Sequence, residues 1–247
     1  MDTDPVAVLR SMVADGTLRG FEPAIADLDM HRPKGFHHKD NLEHSIRVLG
    51  NAIDRETNGP DLVLRTAALL HDIGKPATRK LGSRKSVTFD GHEAVGAKIV
   101  RRLLPRHGYS KAEIRQVEKL VALHMRSHGF RDAGWTDSAV RRLITDVNDD
   151  ALMDRLVIIF YADVTTRHDH KRRAIHASVD GLVQEMARIK KEDARKALRP
   201  ALTGYDIMEL TGLSQGPELG RLMKFLNSDE GIHLSRDEAI AAVQARL

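Results

Sequence analysis

The residues best able to do chemistry in this chain are imidazoles and carboxylates placed where apolar side chains would be expected: His44, His71, Asp72, His92, His124 and Asp163. Residues three, four or seven apart share a helix face, and by that spacing four of these groups fall on inward stripes. His44 lies four before Val48, and His71 lies four after Ala67 and seven after Leu64. His124 lies four after Leu120 and seven after Val117, while Asp163 lies four after Ile159 and seven after Leu156. His92 stands just before a helix predicted from Glu93. Taken singly, a histidine on an apolar face is more often a hydrogen-bonded core residue than a ligand. Asp163 is different, because a buried carboxylate is costly unless paired or bound to a cation. Taken together, mixed nitrogen and oxygen donors converging in one helical bundle suit divalent transition metals. Neighbours on a helix diverge by about 100°, so His71 and Asp72 near a helix end can reach different parts of one site. Asp72, with two oxygens, is the natural bridge between two cations, which could lower the pKa of a bridging water and clamp phosphate oxygens. Lys75, following Gly74, is placed to meet a phosphate, although a lysine at a helix C-terminus is also ordinary dipole chemistry.

The elements that must position these groups read almost entirely as helix. The predicted helices are Leu42 to Ile53, Asp61 to Ile73, Glu93 to Leu104, Lys111 to Met125, Thr136 to Val147 and Ala151 to Asp163. Gly74 and Pro76 are the stop signals of the second, and Pro105 that of the third. Ser86 to Phe89 alternates briefly, as a small hairpin arm or a loop. Ile175 to Leu198 reads as one long charged helix, followed by Tyr205 to Leu210, Pro217 to Leu226 and Ser235 to Leu247. The last opens with Ser235-Arg236-Asp237-Glu238, a capping box. The expected architecture is therefore all-α: a helical lead-in over 1–29, a bundle over 30–173 and a smaller C-terminal helical segment over 174–247.

Composition narrows the function classes. The 247 residues contain no cysteine, which excludes disulfides, thiolate zinc sites and a cysteine nucleophile. No stretch approaches the roughly 20 uninterrupted apolar residues of a membrane span, and no basic-then-apolar leader opens the chain, so a cytoplasmic location is expected. Lys plus Arg number 39 against 35 Asp plus Glu, an excess too small to identify a polyanionic partner. The clusters Arg101-Arg102, Arg141-Arg142 and Lys171-Arg172-Arg173 read first as solvated helix faces.

The order His44, His71-Asp72, Asp163 resembles the defining pattern of the HD-domain metal-dependent phosphohydrolase superfamily, here within Leu69-Leu70-His71-Asp72-Ile73-Gly74-Lys75-Pro76. The added His92 and His124 resemble its members that bind two metals. That resemblance implies that His44, His71, Asp72 and Asp163 hold one ion, and that Asp72, His92 and His124 face a second. The segments Phe89 to Ala97, Trp135 to Arg142, Ala162 to Arg167, Leu202 to Met208 and Gly216 to Gly220 are similar to the HD-containing half of bacterial CCA-adding tRNA nucleotidyltransferases, over roughly residues 30 to 245. Those enzymes join nucleotides with an N-terminal head that has no counterpart in this sequence, so nucleotide addition is not expected.

The expected function is a phosphodiesterase and phosphomonoesterase acting on nucleotides or RNA 3′ ends, such as 2′,3′-cyclic phosphates, through a metal-bound hydroxide. It would serve RNA repair or tRNA processing, with tRNA as a partner. Divalent ions, two by the resemblance, are the expected cofactors, with Mn, Co, Ni, Fe and Mg all compatible with such donors. Asp72 and Lys75 are the expected catalytic residues, and Lys75, Arg79 and Arg167 the expected phosphate-binding groups. The alternatives are a nucleotidase or dNTP-directed hydrolase of the same superfamily, and a tRNA-binding module without catalysis.

Overall fold

The computed structural model describes residues 4–29, 40–81, 86–128 and 135–247. The expected start of the bundle at residue 30 lies outside them. Among the described residues the protein is all-α apart from one antiparallel pair, β1 (Lys80–Leu81) with β2 (Val87–Thr88), in which Lys80 faces Thr88 and Leu81 faces Val87. Among the described residues, no helix is long and apolar enough to cross a membrane.

Three helices make the lead-in: α1 (Pro5–Ala14), α2 (Leu18–Phe21) and α3 (Pro23–Ala26). The bundle follows with α4 (Asn41–Ile53), α5 (Leu62–Leu70), the single turn α6 (Lys75–Thr78), α7 (His92–Leu103), α8 (Lys111–Leu123), α9 (Asp137–Val147) and α10 (Asp150–Ala162). Their starts are fixed locally: Asp40, Asp61, Ser110, Thr136 and Asp149 each accept a backbone N–H of the first turn, which satisfies an otherwise orphaned donor. α7 packs chiefly on α8 and α4 on α5, and α10 lies against α4, α5 and α8. Ile46, Leu64, Leu70, Ile73, Leu120, Leu156 and Ile159 are almost fully buried there. Each contributes roughly 1.5–3 kcal/mol, enough together to offset the several kcal/mol that burying a charged group costs.

One boundary differs from the sequence pattern in a way that matters. Periodicity predicts a helix to Ile73, but α5 ends at Leu70. Pro76 has no N–H to give the Asp72 carbonyl and restricts the residue before it. The chain therefore tightens through His71–Gly74, with Ile73 N–H on the Leu70 carbonyl and Lys75 N–H on the Asp72 carbonyl. It restarts as α6 with Pro76 in the first turn, where a missing N–H costs nothing. Gly74 is required by contact, since a Cβ there would lie 2.1 Å from the His92 carbonyl oxygen and 2.6 Å from the Gly96 nitrogen. That approach seats the turn carrying His71 and Asp72 on the first turn of α7.

The long helix α11 (Asp169–Ala197) is followed by α12 (Gly204–Thr211), α13 (Pro217–Leu226) and α14 (Arg236–Gln244). The chain forms two compact units, Met1–Ala187 and Arg188–Leu247, with the division inside α11. The second unit closes on its own apolar core, which includes Leu202, Ile207, Leu222 and Leu226.

Candidate metal centre

The donors arrive mostly from helix ends. His71, His124 and Asp163 are the C-cap residues of α5, α8 and α10, His92 is the first residue of α7, and His44 lies in the first turn of α4. The last carbonyls of a helix lack intrahelical donors, and two of the imidazoles use them. His71 Nδ1–H donates to the Ala68 carbonyl at 2.8 Å, and His124 Nδ1–H to the Val121 carbonyl at 2.7 Å. His92 does the same with the Phe89 carbonyl at 2.9 Å. These bonds fix the rings with Nε2 turned inward.

The inward atoms form two groups that share one carboxylate. In the first, His44 Nε2 lies 3.3 Å from His71 Nε2 and 2.9 Å from Asp163 Oδ1. Asp72 Oδ2 lies 3.2 Å from His71 Nε2 and 3.6 Å from His44 Nε2. In the second, His92 Nε2 and His124 Nε2 are 3.2 Å apart and lie 3.3 and 3.8 Å from Asp72 Oδ1. A cation with bonds of about 2.1 Å holds neighbouring donors about 3.0–3.4 Å apart, so both groups fit a divalent ion. With Nδ1–H of both rings spent on carbonyls, the facing Nε2 atoms of His92 and His124 bond each other only if one ring carries a second proton, whereas a cation accepts both lone pairs. The triads His44, His71, Asp72 and Asp72, His92, His124 each have ligand atoms close enough to share one ion.

Electrostatics support the same fit. Burial disfavours charge on His71, which is only 1% exposed, yet the Asp72 and Asp163 carboxylates raise its pKa to about 10. Burial and the nearby His71 charge push His124 down to about 3. Burial alone would raise Asp72, but His71, the His92 hydrogen bond and Lys75 hold it well below the usual carboxylate range. Asp163, whose side chain is 18% exposed, is held low by hydrogen bonds from His44 and His71. Without a cation, the His71 proton and the Lys75 ammonium, 2.6 Å from Asp72 Oδ2, balance the two carboxylates.

The centre opens into a cavity of about 760 Å³ lined by His44, Asp72, Lys75, His92 and Asp163 among others, with Phe89, Met125 and Val179 on apolar parts of the wall. The structure thus brings together His44, His71, Asp72, His92, His124 and Asp163, with Lys75 beside them. Arg79 and Arg167 are not among the residues lining this cavity. Arg79 follows α6 with its Nε and one terminal nitrogen buried and, among the described residues, unpartnered. Arg167 is exposed and lines an adjoining groove with Arg47 and Glu43. Sequence reasoning missed Thr165, whose Oγ1 lies 3.0 Å from His44 Nδ1. It also missed Asn41, which is buried beside the cavity with its amide nitrogen unpartnered among the described residues. Asn41 could have been found from its place three residues before His44 on the same helix face.

Residues 41–167 match the family model described as the HD domain. The chain is 31% identical over 196 residues to the A-adding tRNA nucleotidyltransferase of Deinococcus radiodurans, covering 78% of this chain and 43% of that protein. It is 33% identical over 220 residues to the CC-adding tRNA nucleotidyltransferase of Thermus thermophilus, covering 88% of this chain and 47% of that protein. It is also 28% identical over 240 residues to a bifunctional uridylyltransferase/uridylyl-removing enzyme of Ruegeria pomeroyi, covering 84% of this chain and 25% of that protein. The chain therefore spans less than half the length of these curated relatives. A matched HD domain built around buried, paired His and Asp donors makes the assignment plain: this chain belongs to the HD-domain family and is a metal-dependent phosphohydrolase.

Proposed function

We propose that the enzyme hydrolyses phosphate esters of nucleotides or RNA 3′ ends, 2′,3′-cyclic phosphates among them, using two divalent ions. One observation carries the proposal: Asp72, 2% exposed, turns Oδ2 to one set of donors and Oδ1 to the other. His44, His71, Asp72 and Asp163 would hold the first ion, and Asp72, His92 and His124 the second. Bound there, the ions would supply an activated water and neutralise phosphate charge. The chain's own residues do the rest. Lys75 exchanges its contact with Asp72 for a phosphoryl oxygen, offering an ammonium where charge accumulates. The apolar wall at Phe89, Met125 and Val179 takes up the nucleoside and keeps water away. The names of the tRNA-directed relatives support RNA ends as the substrate class.

A second reading is favoured by the uridylyl-removing relatives: cleavage of a nucleotidyl group from a macromolecular carrier. It breaks the same kind of phosphodiester and uses the same residues. To test both, the protein is stripped with a chelator and reloaded separately with Mn, Co, Ni or Mg. It is then assayed on cyclic nucleotides, mononucleotides, dNTPs, RNA ends and a uridylylated protein. Turnover of cyclic or RNA-end phosphates that depends on metal is the expected result. Turnover of the uridylylated protein alone would select the second reading, while dNTP turnover alone, or no turnover on any of the panel, would overturn both.

A further inference from the structure

Among the described residues four imidazoles face the centre, and three are held alike. His71, His92 and His124 each donate Nδ1–H to a backbone carbonyl three residues back. A carbonyl only accepts, so each of these rings keeps a proton on Nδ1 whatever happens at Nε2. His44 is held by a side-chain hydroxyl, Thr165 Oγ1, at 3.0 Å from Nδ1. A hydroxyl both donates and accepts, so it can satisfy His44 with the ring proton on either nitrogen.

The difference has a use at the opposite edge of the ring. His44 Nε2 lies 2.9 Å from Asp163 Oδ1, a contact that without a cation needs the ring proton on Nε2. In the neutral ring Nδ1 is then an acceptor, and Thr165 donates its O–H to it. With a cation among the donors, Nε2 offers its lone pair, the ring proton resides on Nδ1, and Thr165 must accept. The threonine O–H is then released. Thr165 lines the cavity that holds Lys75 and Asp72, so the freed O–H has a substrate oxygen to donate to there.

We propose that Thr165 is a positioning residue for His44 that reverses its hydrogen bond when metal binds and turns its freed O–H to an oxygen of the bound phosphate ester. The inference rests on reading the six donors as a metal centre. It adds the residue through which loading the metal prepares the substrate pocket. No carbonyl-held histidine could do this, because its Nδ1 partner cannot donate.

Two measurements on the full chain test it. The first is ¹⁵N NMR of histidine-labelled protein, metal-free and Zn²⁺-loaded. His71, His92 and His124 are expected to keep a proton on Nδ1 in both states, and His44 alone to move its proton from Nε2 to Nδ1. A His44 that carries a proton on Nδ1 in the metal-free state overturns the reversal. The second is calorimetry with Zn²⁺ and then with inorganic phosphate. Thr165→Val is expected to weaken Zn²⁺ binding about 10–100-fold and, at saturating Zn²⁺, phosphate binding about tenfold. Thr165→Ser, which keeps the hydroxyl, is expected to bind both like wild type. A valine variant that binds like wild type, or a serine variant as weak as the valine one, overturns the role. Neither measurement needs turnover, so a protein that hydrolyses no ester in the panel would end the proposed function and leave this test intact.

Discussion

The two compact units of this chain bury different kinds of residue. Among the described residues, all the buried polar ones lie in Met1–Ala187, with His71, Asp72, His92 and His124 gathered at one centre. Arg188–Leu247 closes on apolar side chains alone. Its carboxylates stay accessible to solvent and cap helices, Asp206 at the start of α12 and Glu238 at the start of α14. Both units solve the folding problem with leucine and isoleucine packing. The donors of the first add nothing that a core requires, and their desolvation is unfavourable until something cationic sits among them. The contrast separates residues kept for shape from residues kept for chemistry.

The strongest way to break the comparison is Asp72→Ala. It should abolish metal uptake and lower turnover by at least about 10³-fold, the scale of losing metal-ion catalysis. Metal content and kcat/KM check it, and a variant that kept both would reduce the centre to packing. Next come two glycines in matched constraint. A Cβ on Gly74 would meet the His92 carbonyl at 2.1 Å, and one on Gly231 would meet the Phe225 carbonyl at 2.3 Å. Alanine at either position should destabilise by about 1–3 kcal/mol or more. Only Gly74→Ala should also weaken metal binding, because the displaced backbone belongs to a donor residue. Denaturant melts and calorimetry on both variants decide the point.

The pH response should divide along the same line. His124 is lowered to about 3 in the fold, so its contribution is complete above its ordinary value of 6.5 and is lost as pH falls below that. His71 is raised to about 10, so its contribution is complete below about 6.5 and is lost as pH rises toward about 10. Asp206 and Glu238 are held low by hydrogen bonds from their cap partners Thr203 and Ser235. Their contribution is lost only as pH falls through the carboxylate range. In the metal-free protein, amide resonances of the first unit should therefore report lower stability on both sides of about pH 6.5, with those of the second flat from about pH 5 to about pH 9. The smallest effect is expected from Ser235→Ala, which removes a solvent-exposed cap and should cost the second unit about 1 kcal/mol. Its melt should shift slightly while metal affinity stays unchanged.

Most of the helices were legible in the sequence because each one carries its own period and its own cap. Asn41–Ile53, Pro217–Leu226 and the Ser235 capping box lie within a residue of where pattern places them. His44, His71, His124 and Asp163 stand out for the same reason, each four residues from an apolar residue on a buried stripe, whereas His92 and Asp72 are marked only by position, before a helix and beside His71. Relations across elements were not legible. Nothing in the spacing of His44 and Thr165, 121 residues apart, announces a hydrogen bond. The end of α5 at Leu70 also escaped, since hydrophobic period continues through Ile73 while Pro76 acts from beyond it. Arg79 and Arg167 do not line the cavity, because side-chain direction after a turn is a tertiary outcome.

The imidazole-to-carbonyl bonds of the metal centre carry one more consequence. Ala68 and Val121 belong to the last turns of α5 and α8, and their carbonyls hold His71 and His124 in place. Fraying of either turn and loss of ring alignment are thus one event, in which the helix end acts as a latch. A cation gripping the rings from the other side would have to hold those turns shut. Amide hydrogens there should then exchange with solvent more slowly in the loaded enzyme, so that metal occupancy is written into the backbone several residues away from any ligand atom.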